Sequence, residues 1–496
     1  MPQRNDTAIW SGLFRISAES GQTLQAQIRQ AIVAAILDRQ IAASMPLPSC
    51  RILAEKLGVA RGTVVLAFQQ LVDQGFLVAR ERRGHFVNPE VLATPAKPQK
   101  ALEQANEIDW KARCQILASD MPPPAKHDNW IKSSYPFVYG QFDPALFPTA
   151  EWRECNRMAL AVLEIRSWAS DMVDRDDPLL IEQIQARLLP RRGIFANPDE
   201  IIVTLGAQNA LYMLATLLMT KGSKVAMEDP GYPDARSIFR LAGAQTLPVP
   251  VDQSGIVTSS IPSDAGFVFV TPSHHCPTMV PLSDERRQDL LARANRNNQI
   301  IIEDGYDSQL LDEAPQQALK SVDRSGRVIY VGSMSKTLAP GLRLGYIVAS
   351  AGLIAELRAL RRFMLRHPPA NNQRAVALFL SLGHHEALVR RLSSAFEERR
   401  KRLVHAISAF LPEWSSTNSA GGTSLWLEGP RGTDSRDLAI AAASRSVIIE
   451  PGGRFFDQNE KPSRFMRLGI SSIALQHIEP GIRELATAAG RRPAAA

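Results

Sequence analysis

The stretch GSMSKTLAPGLRLGY (332–346) closes the apolar run RVIYVG and sets Lys336 among Ser333, Ser335 and Arg343. A lysine amine forms Schiff bases with carbonyls, and it needs a dry pocket to do so. The two hydroxyls and the guanidinium fork beside it are donors of the kind a phosphate takes. A single lysine among serines and glycines is more often a plain loop residue, so the chemistry rests on its neighbourhood. Upstream, QIIIEDGYDS puts Asp304 at the C-terminal end of a strand-like run, with Tyr306 just beyond. IIVTLGAQNALYML reads as strand, glycine turn and helix, which sets the amides of Ala207 and Gln208 at a helix N-terminus, a ready phosphate site. EDPGYPDAR places Tyr232 on a turn after a further strand, where its ring can stack on a flat ligand.

Taken singly these features are bland: Asp304 could cap a helix, Tyr232 could be core, and GAQ could be an ordinary turn. Their succession along strand ends is what chance does not readily give. Pyridoxal phosphate is the common biological carbonyl for a Schiff-base lysine, and an aspartate paired with its ring nitrogen keeps the ring an electron sink.

These residues need a scaffold that brings strand ends together. Strand candidates are 201–205, 224–228, 266–271, 299–304, 327–332 and 345–350, with helical periodicity between several of them, as in QNALYMLATLLMT and DERRQDLLARANRN. Near-continuous apolar strands separated by helices predict an α/β fold with a mostly parallel sheet covered on both faces. In such sheets the ligand lies at the strands' C-terminal ends. Residues 89–130 carry six prolines (Pro89, Pro95, Pro98, Pro122, Pro123 and Pro124) and read as a stiff, solvated interdomain linker. Within it, Trp110, Cys114 and Leu117 recur at helical spacing and predict a short amphipathic helix that docks. The closing RRPAAA reads as a frayed end.

The first part of the chain has a different rhythm. Residues 23–39 predict an amphipathic helix with Leu24, Ile28, Ile32 and Ile36 on one face. Ile52, Leu53 and Leu57 predict a short helix that stops at Gly58, and a second helix from Arg61 to Asp73 presents Val64, Val65, Phe68 and Leu71 inward. Two short helices joined by a glycine-containing turn describe a helix-turn-helix. The alternation in FLVARERRGHFV then predicts a hairpin with Arg82 and Arg83 at its tip. A recognition helix offers its N-terminal residues to base edges while basic side chains hold phosphates. Arg61 and Thr63 are placed for the first task; Arg51, Arg82 and Arg83 suit phosphate or minor-groove contact.

Through LPSCR, LGVARGTV and the hairpin, residues 12–88 resemble the GntR superfamily of winged-helix regulators, although the family's GSGTF at the wing is RRGHF here. Residues 131–490 resemble fold-type-I pyridoxal-phosphate enzymes of the aspartate aminotransferase class. That resemblance implies that Lys336 is the Schiff-base lysine, that Asp304 binds the ring nitrogen and that Tyr306 binds the ring hydroxyl. It assigns Ala207, Gln208, Ser333, Ser335 and Arg343 to the phosphate and Tyr232 to the stacking ring. It also matches Arg467, in RFMRLGIS, to the arginine that clamps a substrate carboxylate, and sets Gly140, in YGQFDPALFPTAEW, near the substrate. Two departures stand out. The family's Asn-Pro-Thr-Gly turn is Cys276-Pro277-Thr278-Met279 here, and SDMVDRDDPLL lacks the tyrosine that aminotransferases lend to the partner's phosphate.

A winged helix, a linker and an aminotransferase-like region in this order resemble the MocR (GabR-type) subfamily of bacterial regulators. The resemblance implies a homodimer with head-to-tail pairing, repeated operator half-sites on DNA, and an amine or amino-acid effector sensed through an external aldimine that displaces Lys336. Arg467 implies an anionic group on that effector, which admits ordinary amino acids, GABA, taurine, D-alanine or ectoine derivatives. A working aminotransferase with an accessory DNA-binding domain is the alternative. Cys276 and the missing tyrosine favour the regulator, and the intact lysine, aspartate and arginines keep the enzyme open. A dead fold kept only for dimerisation has no need of Lys336.

Composition sets outer bounds. At 496 residues the chain exceeds one domain, and 45% hydrophobic with 22% charged residues is ordinary for a soluble globular protein. No apolar run reaches the ~18 residues of a spanning helix, and MPQRNDTAIW lacks the apolar stretch of a signal peptide, so a cytoplasmic protein without membrane contact is expected. Cys50, Cys114, Cys155 and Cys276 form no CxxC, which argues against a zinc site or a disulfide framework. The net charge of +7 permits nucleic acid as a partner, but residues 1–90 hold only +3 of it, so DNA binding rests on the helix-turn-helix pattern.

Overall fold

The structure, a computed structural model, describes residues 21–42, 45–92, 108–121, 130–306, 317–417, 422–457 and 463–490. Residues 12–20, five of the six linker prolines (Pro95, Pro98 and Pro122–Pro124) and the closing RRPAAA lie outside the described residues. The chain divides into two compact units, 1–110 and 111–496.

In the first unit, α1 (Leu24–Leu37) starts behind Thr23, whose hydroxyl accepts the Ala26 amide, and buries Ile28, Ile32 and Ile36. Ser49 caps α2 (Cys50–Leu57) by accepting the Ile52 amide, and Gly58 ends it with a left-handed φ of 63°. The second helix of the pair, α3 (Arg61–Asp73), buries Val64, Ala67, Phe68 and Leu71. Val65, expected inward, is 42% exposed. Helical spacing explains the exchange: 64, 68 and 71 share a face with 67, whereas 65 lies a quarter-turn away. The strands β1 (Leu77–Arg80) and β2 (Gly84–Val87) pair antiparallel from Arg80↔Gly84 to Leu77↔Val87, as the wing requires. Beyond the wing, the helix expected around Trp110, Cys114 and Leu117 is a single turn, Trp110–Arg113. Trp110 is 66% exposed, Cys114 is exposed and Leu117 is half-buried. One turn fixes several residues for a single hydrogen bond and does not propagate without a surface to pack on.

The second unit is built on an eight-stranded sheet. In chain order its elements are β3 (Ile201–Thr204), α4 (Ala207–Leu218), β4 (Lys224–Asp229), α5 (Pro233–Leu241), β5 (Gln245–Asp252), β6 (Gly255–Ile256), β7 (Phe267–Val270), β8 (Ile300–Asp304), β9 (Val328–Ser333) and β10 (Gly345–Val348). The strand order is β3-β10-β9-β8-β7-β4-β5-β6, and only β10 and β6 run antiparallel to their neighbours. Alternate strand residues feed different cores: Ile202, Ile302, Ile329 and Val331 pack with Leu211 and Phe239, while Ile201, Val203 and Tyr330 pack with Phe137 and Phe379. The sheet is therefore covered on both faces. Strand β5 escaped the sequence reading because Pro248 and Pro250 interrupt its pattern. β6 pairs with Val251 and Asp252, which leaves Pro248 beyond its reach, while Pro250 needs no amide there because its carbonyl accepts the Val257 amide at 2.9 Å.

The antiparallel β10 brings three chain segments together. Gly345 pairs with both Ser333 and Thr204, and a Cβ there would lie 2.8 Å from the Gly332 carbonyl oxygen and 3.0 Å from Gly206 Cα. A smaller antiparallel sheet follows, formed by β11 (Ser415–Ser416), β12 (Ser424–Glu428), β13 (Glu450–Pro451) and β14 (Phe465–Gly469) in the order β11-β12-β14-β13. No helix of the described residues is long and apolar enough to cross a membrane.

Candidate functional site

A cavity of about 580 Å³ opens at the C-terminal ends of β8 and β9 and the start of α4, walled on its other side by β13, β14 and Arg454 and Phe455 just after β13. Its lining contains Gly140, Ala207, Gln208, Tyr232, Asp304, Tyr306, Ser333, Ser335, Lys336, Arg343 and Arg467, so the structure gathers in one space every residue that the sequence assigned to cofactor and effector.

Two neighbouring carboxylates on β8 show how the site differs from the scaffold. Both are buried, and strand alternation turns them to opposite faces. Glu303 accepts the amides of Leu319 at 3.0 Å and Lys320 at 2.9 Å. Neither oxygen of Asp304 has a hydrogen-bond partner. Burial pushes its pKa up to about 7, against the opposing pull of the Lys336 ammonium and the Tyr306 amide. An acceptor held in this way calls for a cationic N–H donor, which the protonated ring nitrogen of pyridoxal phosphate supplies. Lys336 Nζ lies 4.4 Å from the centroid of the Tyr139 ring, and Gly140 leaves its path clear, since a Cβ at 140 would run into Nζ.

The far end of the cavity is made of donors. No side chain caps α4, so its first amides face outward from the Gly206 turn. Arg343, a non-glycine residue at φ 51°, donates to the Leu205 carbonyl at 3.1 Å beside that turn. The Ser335 amide donates to Ser333 Oγ at 3.3 Å, and Ser335 Oγ is buried without a partner. These groups fit a phosphate. The Gln208 side chain is turned elsewhere, donating to Asp234 at 2.6 Å, where the Tyr232 hydroxyl also donates at 3.4 Å. Tyr306 donates its hydroxyl to the His274 carbonyl at 2.9 Å.

The opposite wall departs from the expected arrangement. Arg467 on β14 stands directly across from Glu450 on β13, and its Nε and Nη2 both reach Glu450 Oε2 at 2.6 Å. Its guanidinium carbon lies 3.9 Å from the Tyr139 ring centroid and 4.7 Å from that of Phe455. Burial opposes the charge of Arg467, but Glu450 and its other neighbours hold its pKa above the ordinary value. Cys276 Sγ is 3.7 Å from Arg467 Nη1, and burial pushes its thiol up to about 12, so a neutral sulfur occupies the place of the family's asparagine. Tyr139, Glu450 and Arg454 also line the cavity and were not singled out from sequence. Tyr139 adjoins Gly140, and the other two flank Pro451-Gly452-Gly453, a break just before RFMRLGIS. The segment without the aminotransferase tyrosine has a structural task instead: Asp176 pairs with Arg361 at 2.6 Å and Arg358 at 2.9 Å, and Asp177 caps the helix that follows.

In the first unit, Arg51 is exposed on α2, and Arg61 and Thr63 open α3. Burial raises the pKa of the Cys50 thiol while the Arg61 guanidinium pulls it down, which places Arg61 within electrostatic reach of the start of α2. Arg82 and Arg83 occupy the turn between β1 and β2, both exposed. The outward face of α3 further carries Gly62, Val65, Leu66 and Gln69. Its exposed apolar side chains suit thymine methyl groups in a major groove.

Comparison with known proteins agrees with both units. Residues 24–87 match the bacterial regulatory proteins of the gntR family, and residues 155–476 match aminotransferase class I and II. The chain is 43% identical to the HTH-type transcriptional regulator TauR of Rhodobacter capsulatus, over 95% of this chain and 98% of that one. It is 30% identical to the probable rhizopine catabolism regulatory protein MocR of Rhizobium meliloti, over 93% of each. Among solved structures, α-aminoadipate aminotransferase LysN from Thermus thermophilus, complexed with N-(5'-phosphopyridoxyl)-L-leucine, superposes with a TM-score of 0.70 at 26% identity, covering 77% of this chain and 98% of LysN. With a DNA-binding unit of one family ahead of an aminotransferase fold of another, and with full-length relatives named as regulators, the chain belongs to the MocR subfamily of GntR winged-helix transcriptional regulators.

Proposed function

We propose that this protein binds operator DNA through its winged helix and senses an amine bearing an acid group through pyridoxal phosphate held in the cavity. The observation that carries the reading is Asp304, a buried carboxylate with two unmet acceptors opening into the same space as the Lys336 amine. When bound, the cofactor supplies an aldehyde that condenses reversibly with primary amines. Asp304 would hold the ring nitrogen, Tyr232 would flank the ring and Tyr306 its hydroxyl. Ala207, Gln208, Ser333, Ser335 and Arg343 would hold the phosphate, with Arg467 and Gly140 on the effector side. An effector amine that replaces Lys336 frees the lysine side chain and alters charge in the cavity. That difference in binding between two domain arrangements is what a regulator requires.

The domains of this reading are 12–88 for DNA, 89–130 as linker and 131–490 for the effector. They act in a homodimer whose two heads read repeated half-sites, with Arg51, Arg61, Thr63, Arg82 and Arg83 on the DNA. Effectors of the class include taurine, GABA and ectoine derivatives. The test is a spectral titration of such amines run beside DNA binding to promoter fragments. Coincident midpoints for colour change and altered DNA affinity are expected. Sustained turnover of an amino acid at ~1–10³ s⁻¹ would favour the aminotransferase instead.

A further inference from the structure

Resting on the sensor reading above, we propose that Arg454, acting beside Arg467, receives the acid group of the effector and so determines which amines the cavity admits. Among the described residues, four cationic side chains line the cavity: Lys336, Arg343, Arg454 and Arg467. Lys336 is the reacting amine, and Arg343 is turned to the Leu205 carbonyl at the phosphate end. Arg467 already carries a carboxylate. Glu450 takes both Nε and Nη2 at 2.6 Å, and cross-strand pairing keeps it there. An incoming acid therefore meets a fork whose bidentate edge is occupied and whose charge is balanced, with the like charge of Glu450 beside it.

Arg454 is held differently. Its nearest ion pair is with Asp234 at 3.8 Å, longer than a hydrogen bond, and its Nε is buried with no acceptor. Asp234 does not depend on it, because Asp234 Oδ2 accepts Gln208 and Tyr232. Arg454 can thus turn to an anion without stranding a carboxylate, and its buried donor gains an acceptor in doing so. The Nε–Nη2 edge matches two oxygens of a carboxylate or of a sulfonate. The ligand class is a primary amine ending in one of these oxyanions.

The full chain loaded with pyridoxal phosphate is titrated with taurine, β-alanine and ethanolamine while its visible absorbance is followed. The first two share a two-carbon spacing and differ in the acid, and the third has no acid. Arg454→Gln should raise the midpoints for the acids by roughly tenfold or more, the loss of a charge-assisted pair, and leave ethanolamine within about twofold. Arg454→Lys should recover part of the loss. A larger loss for taurine than for β-alanine assigns the site to sulfonates, and the reverse assigns it to carboxylates. Equal shifts for all three amines, or unchanged midpoints for the acids, overturn the assignment. Weaker cofactor uptake by Arg454→Gln also overturns it, by moving Arg454 to the phosphate. A wild-type chain that takes up no cofactor, or whose spectrum no amine alters, defeats the sensor reading and this inference together.

Discussion

In the first unit Ile28, Ile32, Val64, Phe68 and Leu71 close a core with no buried polar or charged side chain among the described residues, whereas the second unit encloses Glu228, Glu303, Asp304, Arg361 and Arg467. The small unit keeps its chemistry on the surface. Arg51, Arg61, Arg82 and Arg83 stay in water, where the proposed function has DNA meet them. The large unit draws charges out of water and satisfies most of them internally, as Asp176 does with two arginines and Glu303 with two amides. The Asp304 oxygens and Arg454 Nε are among the buried atoms without a hydrogen-bond partner, and both residues line the cavity. A buried charged group that is unmet and also borders a cavity is a candidate to receive a ligand.

The contrast can be broken by substitution. The largest effect is expected from Lys336→Ala, which should abolish the visible absorption band of the cofactor-loaded protein while the effector-free chain still binds DNA. Loss of both would show that the units do not separate their tasks. Phe68→Ala should cost the first unit about 3–5 kcal/mol, since Phe68 is buried and packs edge-on to His85 at 5.0 Å. Calorimetry should then show an early transition that leaves the band unchanged.

Asp304→Asn sharpens the comparison in the opposite direction. The pKa of Asp304 stands at about 7 against an ordinary 3.8, so between these values the folded chain holds a proton that the unfolded chain has released. Stability of the cofactor-free protein therefore falls as pH rises from about 4 to about 7. The asparagine variant should gain about 1–3 kcal/mol at pH 8 and less at pH 5, read as Tm, although it should hold the cofactor poorly. A loss of stability at pH 8 would mean that the carboxylate is paired after all. The smallest effects belong to the surface. Arg51→Ala and Arg61→Ala should each weaken operator binding by roughly tenfold and flatten its salt dependence, measured by fluorescence anisotropy, with the band intact.

Much of this was legible in the sequence because its signals are local. Lys336 beside Ser333 and Ser335, Asp304 at a strand end, and the GAQ turn before a helix each depend on residues close in the chain. So does the helix-turn-helix, whose inward face differs in exchanging Val65 for Ala67 on α3 and, on α2, in burying Ala54 while Ile52 is exposed. The part that was not legible depends on register between distant strands. That Glu450 would face Arg467 follows from how β13 pairs with β14, and that Asp234 would lie near Arg454 follows from how α5 meets the turn after β13. Neither pairing leaves a mark in spacing. The helix predicted around Trp110 has its apolar period, yet it stops after one turn with Trp110 66% exposed.

The close approach at Gly345 has a consequence for how this cavity can change. Behind Ala207, Ser333 and Arg343 the chain meets itself main chain to main chain, with no room for a Cβ. That jaw of the cavity is made from parts that all residues share, so substitution cannot re-shape it without pushing strands apart. The other jaw, with Tyr139, Cys276, Glu450, Arg454 and Phe455, has its own close main-chain contacts at Gly452 and Gly469, but the groups the function leaves open there are side chains. Both jaws have a fixed main chain, and change is left to the side chains set on it. On the proposed function, a chain built on this plan would acquire a new signal through the side chains of the second jaw while those of the first kept the same cofactor.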